Sequence, residues 1–160
     1  MKTATVKELK HELASRTHGD LVNLCLRLSR FKKENKELLT YLLYESSNES
    51  AYIESVKREI NQEFEQINKS SYFYIKKSVR KILRYTKKYI RYSGKKETEV
   101  ELLIYFCYEL KNMLPLTEKL MPLQNLFYRQ IEVIKKVIST LHEDLQYDYL
   151  LELEELIVLD

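Results

Sequence analysis

The stretch ELLIYFCYEL, from Glu101 to Leu110, is apolar nearly all the way round a helix. A helix of that kind is one buried on several sides. It predicts the central helix of a core, with Leu103, Ile104, Cys107 and Leu110 deepest. The surrounding sequence holds only two Gly and two Pro in 160 residues, far less turn chemistry than a sandwich, barrel or βαβ fold needs at each reversal. Leu, Glu and Lys dominate instead. The fold class is therefore all-α: a single-domain, multi-helix bundle of about seven or eight helices spanning residues 1–160. A chain of this length can bury most of its apolar surface without disulfides or metal.

Thr98 to Glu101 has the spacing of a capping box that starts this helix, and Pro115 ends it. Pro122 follows Thr117 too closely to lie inside a regular helix, so the next helix is predicted from about Pro122 to about Thr140. The last helix, Leu141 to Leu159, carries apolar residues on two sides, separated by Asp144, Asp148, Glu152 and Glu155 at helical spacing. Such a helix can pack against two neighbours. Toward the N-terminus, Val6, Leu9 and Leu13 mark a first helix. Thr17 with Asp20 marks the cap of a second helix through Leu21, Leu24, Cys25 and Leu28. Asn35 is read as a break before Leu38, Leu39, Leu42 and Leu43. The clearest loop is Ser46-Ser47-Asn48-Glu49-Ser50, whose short polar side chains compete with helical backbone bonding. It offers one alternative division, an N-terminal helical hairpin over 1–46 packed on a bundle over 50–160. Beyond it, Ile53, Val56, Ile60, Phe64 and Ile67 make a helical stripe ending near Asn68.

The net charge of +3 conceals strong segregation. Residues 45–68 carry six acids against Lys57 and Arg58, and residues 141–160 carry seven acids with no Lys or Arg. Between them, Lys69 to Lys96 holds eleven Lys and Arg and no acid at all. Placed at about 100° per residue, Lys76, Lys77, Arg80, Lys81, Arg84, Lys87, Lys88 and Arg91 fall on one arc. Ile75, Val79, Ile82, Leu83, Thr86, Tyr89 and Ile90 fall on the opposite arc. Tyr74, Tyr85 and Tyr92 line an edge between the two, and Phe73 lies within the cationic arc. With Ser70 or Ser71 as N-cap and Gly94 as C-cap, residues 71–93 form a basic amphipathic helix. Its charges extend over about 22 Å at 1.5 Å per residue, comparable to several phosphates along a nucleic-acid strand. Aromatic residues beside such charges suit base stacking. The face thus predicts an acidic partner, either nucleic acid or protein. The competing reading is a solvated face screened by the acidic helices 50–67 and 141–159, in a structural or self-associating protein that is a monomer or a dimer.

Other chemistries are poorly served. Gly19 and Gly94 are the only glycines, so phosphate-cradling loops of the P-loop or dinucleotide-binding type are excluded. His11, His18 and His142 lack partners at zinc-ligand spacing. No cofactor, metal or catalytic residue is predicted, and an enzyme is the less favoured class. Its one candidate form uses Asp144, Asp148 and Glu152 gathered with His142. Cys25 and Cys107 both have apolar neighbours and read as reduced core residues. Lacking a signal-peptide pattern and any apolar run of about 18 residues, the chain is expected to be cytoplasmic with no membrane span.

Residues 5–28 loosely resemble the helix-loop-helix nucleic-acid-binding module called SAP, although only Thr17, His18 and Gly19 separate the helices here. The segments KKENKELLTYLL (32–43) and TEVELLIYFCYELK (98–111), with the basic helix between them, are similar to a family of small all-helical bacterial proteins known only as a domain of unknown function. That resemblance implies a bacterial, all-helical protein and supplies no activity, cofactor or site residue.

Overall fold

The short polar residues that punctuate the sequence sit where helices begin. Thr5, Thr17, Asn48 and Ser71 each accept a hydrogen bond from a backbone N–H of the following turn, satisfying donors that the first turn of a helix leaves unpaired. A computed structural model describes residues 1–113 and 121–158. Its described residues form eight α-helices and one π-helical turn, with no strand, so the chain is all-α. It divides into two compact units, Met1–Tyr44 and the residues from Glu45 onward.

The N-terminal unit contains α1 (Val6–Ala14), α2 (His18–Phe31) and α3 (Lys33–Thr40), and α3 runs on into a π-helical turn, Tyr41–Glu45. Capping boxes open the first two helices, Thr5 with Glu8 and Thr17 with Asp20. The break between α2 and α3 falls at Lys32, whose backbone is extended at φ −142° and ψ 148°. Asn35, read from sequence as the break, instead lies inside α3. Its side-chain amide donates to the Leu28 carbonyl at 2.9 Å, so this Asn satisfies a carbonyl near the end of one helix from within the next. No residue of α1, α2 or α3 is buried. Cys25 is exposed, which corrects its reading as a core residue: apolar neighbours in sequence lie at 100° steps around a helix and do not define one face.

The second unit contains α4 (Glu49–Glu65), α5 (Tyr72–Ser93), α6 (Lys96–Met113), α7 (Met121–Ile138) and α8 (Glu143–Val158). Helix α6 packs against the other four. Val100, Leu102, Leu103, Phe106, Cys107 and Leu110 are fully enclosed and Ile104 nearly so, as an all-round apolar helix requires. The α4 stripe of Ile53, Val56, Ile60 and Phe64 is buried, as is Ile67 just beyond it. The Phe64 ring meets Phe106 at 5.6 Å between centroids.

Thr98 does not cap α6. The helix begins two residues earlier, and the buried Thr98 hydroxyl donates to Glu49 Oε1 at 2.6 Å. Glu49 also accepts from the Ser93 hydroxyl and pairs with Lys95 at 2.8 Å. The start of α4 is thereby tied to the junction of α5 and α6. Pro122 lies in the first turn of α7, where its missing N–H costs nothing. The expected helix end at Pro115 and the neighbouring Thr117 lie outside the described residues.

Candidate polyanion interface on the basic helix

Helix α5 is bounded by chemistry visible in its sequence. At its start the Tyr74 N–H donates to Ser71 Oγ at 3.4 Å, and at its end Gly94 takes a left-handed conformation, φ 68°, with its N–H donating to the Ile90 carbonyl at 2.8 Å. Between these caps the apolar arc faces the core: Val79, Ile82, Leu83, Thr86 and Ile90 are buried. The buried Thr86 hydroxyl is satisfied within the helix by the Ile82 carbonyl at 3.0 Å. Committing one arc to the core fixes the direction of the other. Lys77, Arg80, Lys81, Arg84 and Arg91 are exposed, and Lys76, Lys87 and Lys88 are partly so.

Helix α4 runs antiparallel to α5. Tyr52 of α4 donates to the Tyr89 carbonyl at 2.9 Å, the Tyr89 hydroxyl donates to Glu59 at 2.6 Å, and Lys81 pairs with Glu63 at 3.0 Å. The acidic helix therefore engages one flank of the basic one. Among the described residues, Lys76, Lys77, Arg80, Arg84, Lys87 and Arg91 make no ion pair. The acidic α8 packs on α6 and α7. Most of the cationic arc is thus not neutralised by side-chain pairing within the described fold.

The aromatic edge has two parts. Around Tyr85, the Lys81 and Lys88 ammonium groups lie 5.2 and 5.3 Å from the ring centroid and the Arg84 guanidinium lies 5.7 Å away. Lys88 also lies over Tyr89 at 4.8 Å and Tyr92 at 5.8 Å. These tyrosines hold the protein's own cations in place by cation–π attraction. At the N-terminal end, Phe73 is 68 % exposed and Tyr74 47 % exposed, with their rings edge to face at 5.7 Å. Their faces are the more accessible for stacking. Sequence reasoning grouped Tyr74, Tyr85 and Tyr92 as equivalent; their cation contacts separate Tyr85 and Tyr92 from Tyr74. It also placed Tyr89 in the apolar arc, yet this residue bridges to α4 through its hydroxyl.

The carboxylates considered for catalysis do not gather. His142 and Asp144 approach at 3.4 Å, but their side chains are 74 % and 91 % exposed. Asp148 is exposed, and Glu152 faces a separate cleft. Among the described residues no group of three or more His, Cys, Asp or Glu could hold a metal ion. Comparison with protein families, curated proteins and solved structures yields no match.

Proposed function

We propose that this chain is a non-enzymatic binding module that takes a polyanion, foremost single-stranded nucleic acid, along the open face of α5. The observation supporting this reading most strongly is the set of six Lys and Arg side chains with no ion-pair partner among the described residues. Lys76 to Arg91 extend over about 22 Å along a rigid helix. Bringing phosphates to such a row releases condensed counterions, which supplies affinity without sequence preference. Phe73 and Tyr74 sit at one end, where an unpaired base can stack and a duplex base cannot. The fold is expected to present this surface in the cytoplasm; no described helix is long and apolar enough to cross a membrane.

The test is a fluorescence-anisotropy titration with single-stranded RNA, single-stranded DNA and duplex DNA of equal length. Phosphate binding with end stacking predicts saturable association with all three, single strands binding tighter. Replacing Phe73 and Tyr74 with Ala should remove that difference, about 1–3 kcal/mol per lost stack at most. Tight binding of an acidic polypeptide with none of nucleic acid would instead identify an acidic protein as the partner.

Self-association is a second reading, favoured by the N-terminal unit. Val6, Leu28, Phe31 and Leu43 are more than half exposed there, large apolar side chains that a second copy can cover. A second copy covering these residues predicts a concentration-dependent mass in sedimentation, abolished by Leu28→Glu with Phe31→Glu. A monomer at all concentrations would remove this reading.

A further inference from the structure

A cleft of about 450 Å³ lies between α4, α6 and α8, on surfaces to which α5 contributes no lining residue. Its walls are two helical stripes. Glu101, Tyr105 and Tyr108 recur at i, i+4, i+7 on α6, and Tyr149, Glu152 and Glu155 recur at i, i+3, i+6 on α8, spacings that put each set on one face. Lys57 of α4 closes one end. Three carboxylates thus face one ammonium among three phenol rings, leaving an excess of two negative charges.

The bonding inside the cleft shows which carboxylates are already occupied. Lys57 Nζ donates to Glu101 Oε2 at 3.3 Å and to Glu54 Oε1 at 3.0 Å, and the Tyr149 hydroxyl donates to Glu101 Oε1 at 3.3 Å. Both Glu101 oxygens are therefore engaged. Glu152 and Glu155 make no ion pair among the described residues. The Tyr105 and Tyr108 rings stack at 6.4 Å with 28° between planes, and Lys57 Nζ stands 5.9 Å from the Tyr105 centroid.

This environment favours positive charge. Burial works against the Lys57 ammonium, yet the bonds and charges of Glu54 and Glu101 hold it above its ordinary value. Partial desolvation raises the Glu152 carboxyl; Lys57 opposes that rise, and Glu101 and Glu155 add to it. Lys57 is bonded to Glu101 and lies beside the Tyr105 ring, and it makes no ion pair with Glu152 or Glu155 among the described residues. We infer that the Glu152–Glu155 end of this cleft, walled by Tyr105, Tyr108 and Tyr149, binds a small organic cation of the alkylammonium class. Carboxylates supply the counter-charge, and the ring faces attract a cation while tolerating its alkyl body, the arrangement by which aromatic cages take quaternary ammonium groups. The volume lies within the range of about 300–1,000 Å³ usual for small-molecule sites.

The test is calorimetric titration of the intact chain with tetramethylammonium and n-butylammonium chloride, with n-butanol as neutral control. Saturable binding of the cations and not of butanol is expected. It should weaken about three- to tenfold in Glu152→Gln with Glu155→Gln, as loss of two partly exposed charge contacts implies. Glu154→Gln, on the same helix but outside the cleft, should leave it unchanged. Independently of any variant, tyrosine ring resonances of Tyr105, Tyr108 and Tyr149 should shift during titration of the unaltered protein, while that of Tyr147 should not. Absence of saturable binding, equal binding of butanol, or shifts centred on Tyr147 would overturn the assignment.

Discussion

Replacing Leu103 with Ala tests whether α6 organises the second unit. Leu103 is fully enclosed in a helix that touches α4, α5, α7 and α8, so the vacated volume is bounded on all sides. Removing three carbons forfeits roughly 2.4 kcal/mol of transfer free energy at about 0.8 kcal/mol per methylene. A cavity whose walls collapse only partly raises the total toward about 5 kcal/mol. The appropriate assay is urea unfolding followed by tyrosine fluorescence, since the chain has thirteen tyrosines and no tryptophan. The midpoint should fall with the slope unchanged, the signature of lost stability without altered exposure on unfolding. Leu151→Ala, on the exposed side of α8, should change stability by no more than about 0.5 kcal/mol. A Leu103→Ala loss below about 1 kcal/mol, or one equal to that of Leu151→Ala, would refute the central position of α6.

Three further outcomes are expected. Gly94→Ala should cost about 1 kcal/mol: a Cβ there would meet no atom within 4 Å, so the cost lies in the left-handed backbone at φ 68°, and equal melting midpoints would contradict it. Thiol titration at neutral pH should find one reactive group in the native protein and two in denaturant, because Cys25 is exposed while burial pushes the Cys107 thiol up to about 12. Stability should fall as pH rises from about 10 toward 12: burial, reinforced by neighbouring carboxylates, lifts the Tyr105 and Tyr149 phenols to about 12, so the unfolded chain ionises first and is favoured. Lys57, also raised, loses its contribution in the same direction. Tyr105→Phe with Tyr149→Phe should flatten the decline, and an unaltered profile would show that these phenols do not control it.

Much of this fold is legible in sequence because it rests on local rules. The Thr17–Asp20 cap, the Gly94 stop, the buried α4 stripe and the all-round apolar α6 each follow from spacing and side-chain type. Asn35 and Thr98 depart from their expected places for one common reason: short polar side chains that satisfy backbone groups can also reach partners elsewhere. Asn35 bonds the Leu28 carbonyl and Thr98 bonds Glu49, contacts that helix-start patterns do not encode. The openness of α1–α3 was hidden because amphipathic spacing defines an apolar face without stating what covers it. For the candidate site, the cationic arc of α5 was readable from its acid-free composition. How little of it α4 neutralises depends on packing, as does the division of the tyrosines into cation holders and exposed rings. The cleft between α6 and α8 is the least visible feature, since its two walls are distant in sequence, Glu101 and Tyr149 being 48 residues apart, and meet only in three dimensions.

The central claim is that Lys76, Lys77, Arg80, Arg84, Lys87 and Arg91 of α5, which make no ion pair among the described residues, form a phosphate-binding row. Its most direct test is the salt dependence of single-stranded RNA binding by the unaltered chain and by the Arg80→Ala, Arg84→Ala, Lys87→Ala variant. Four to six phosphate contacts predict a log–log slope of about −3 to −4, at roughly −0.7 per contact on a single strand, falling in magnitude by about 2 in the triple variant. A slope near zero for the unaltered chain, or one the triple variant leaves unchanged, would contradict the account.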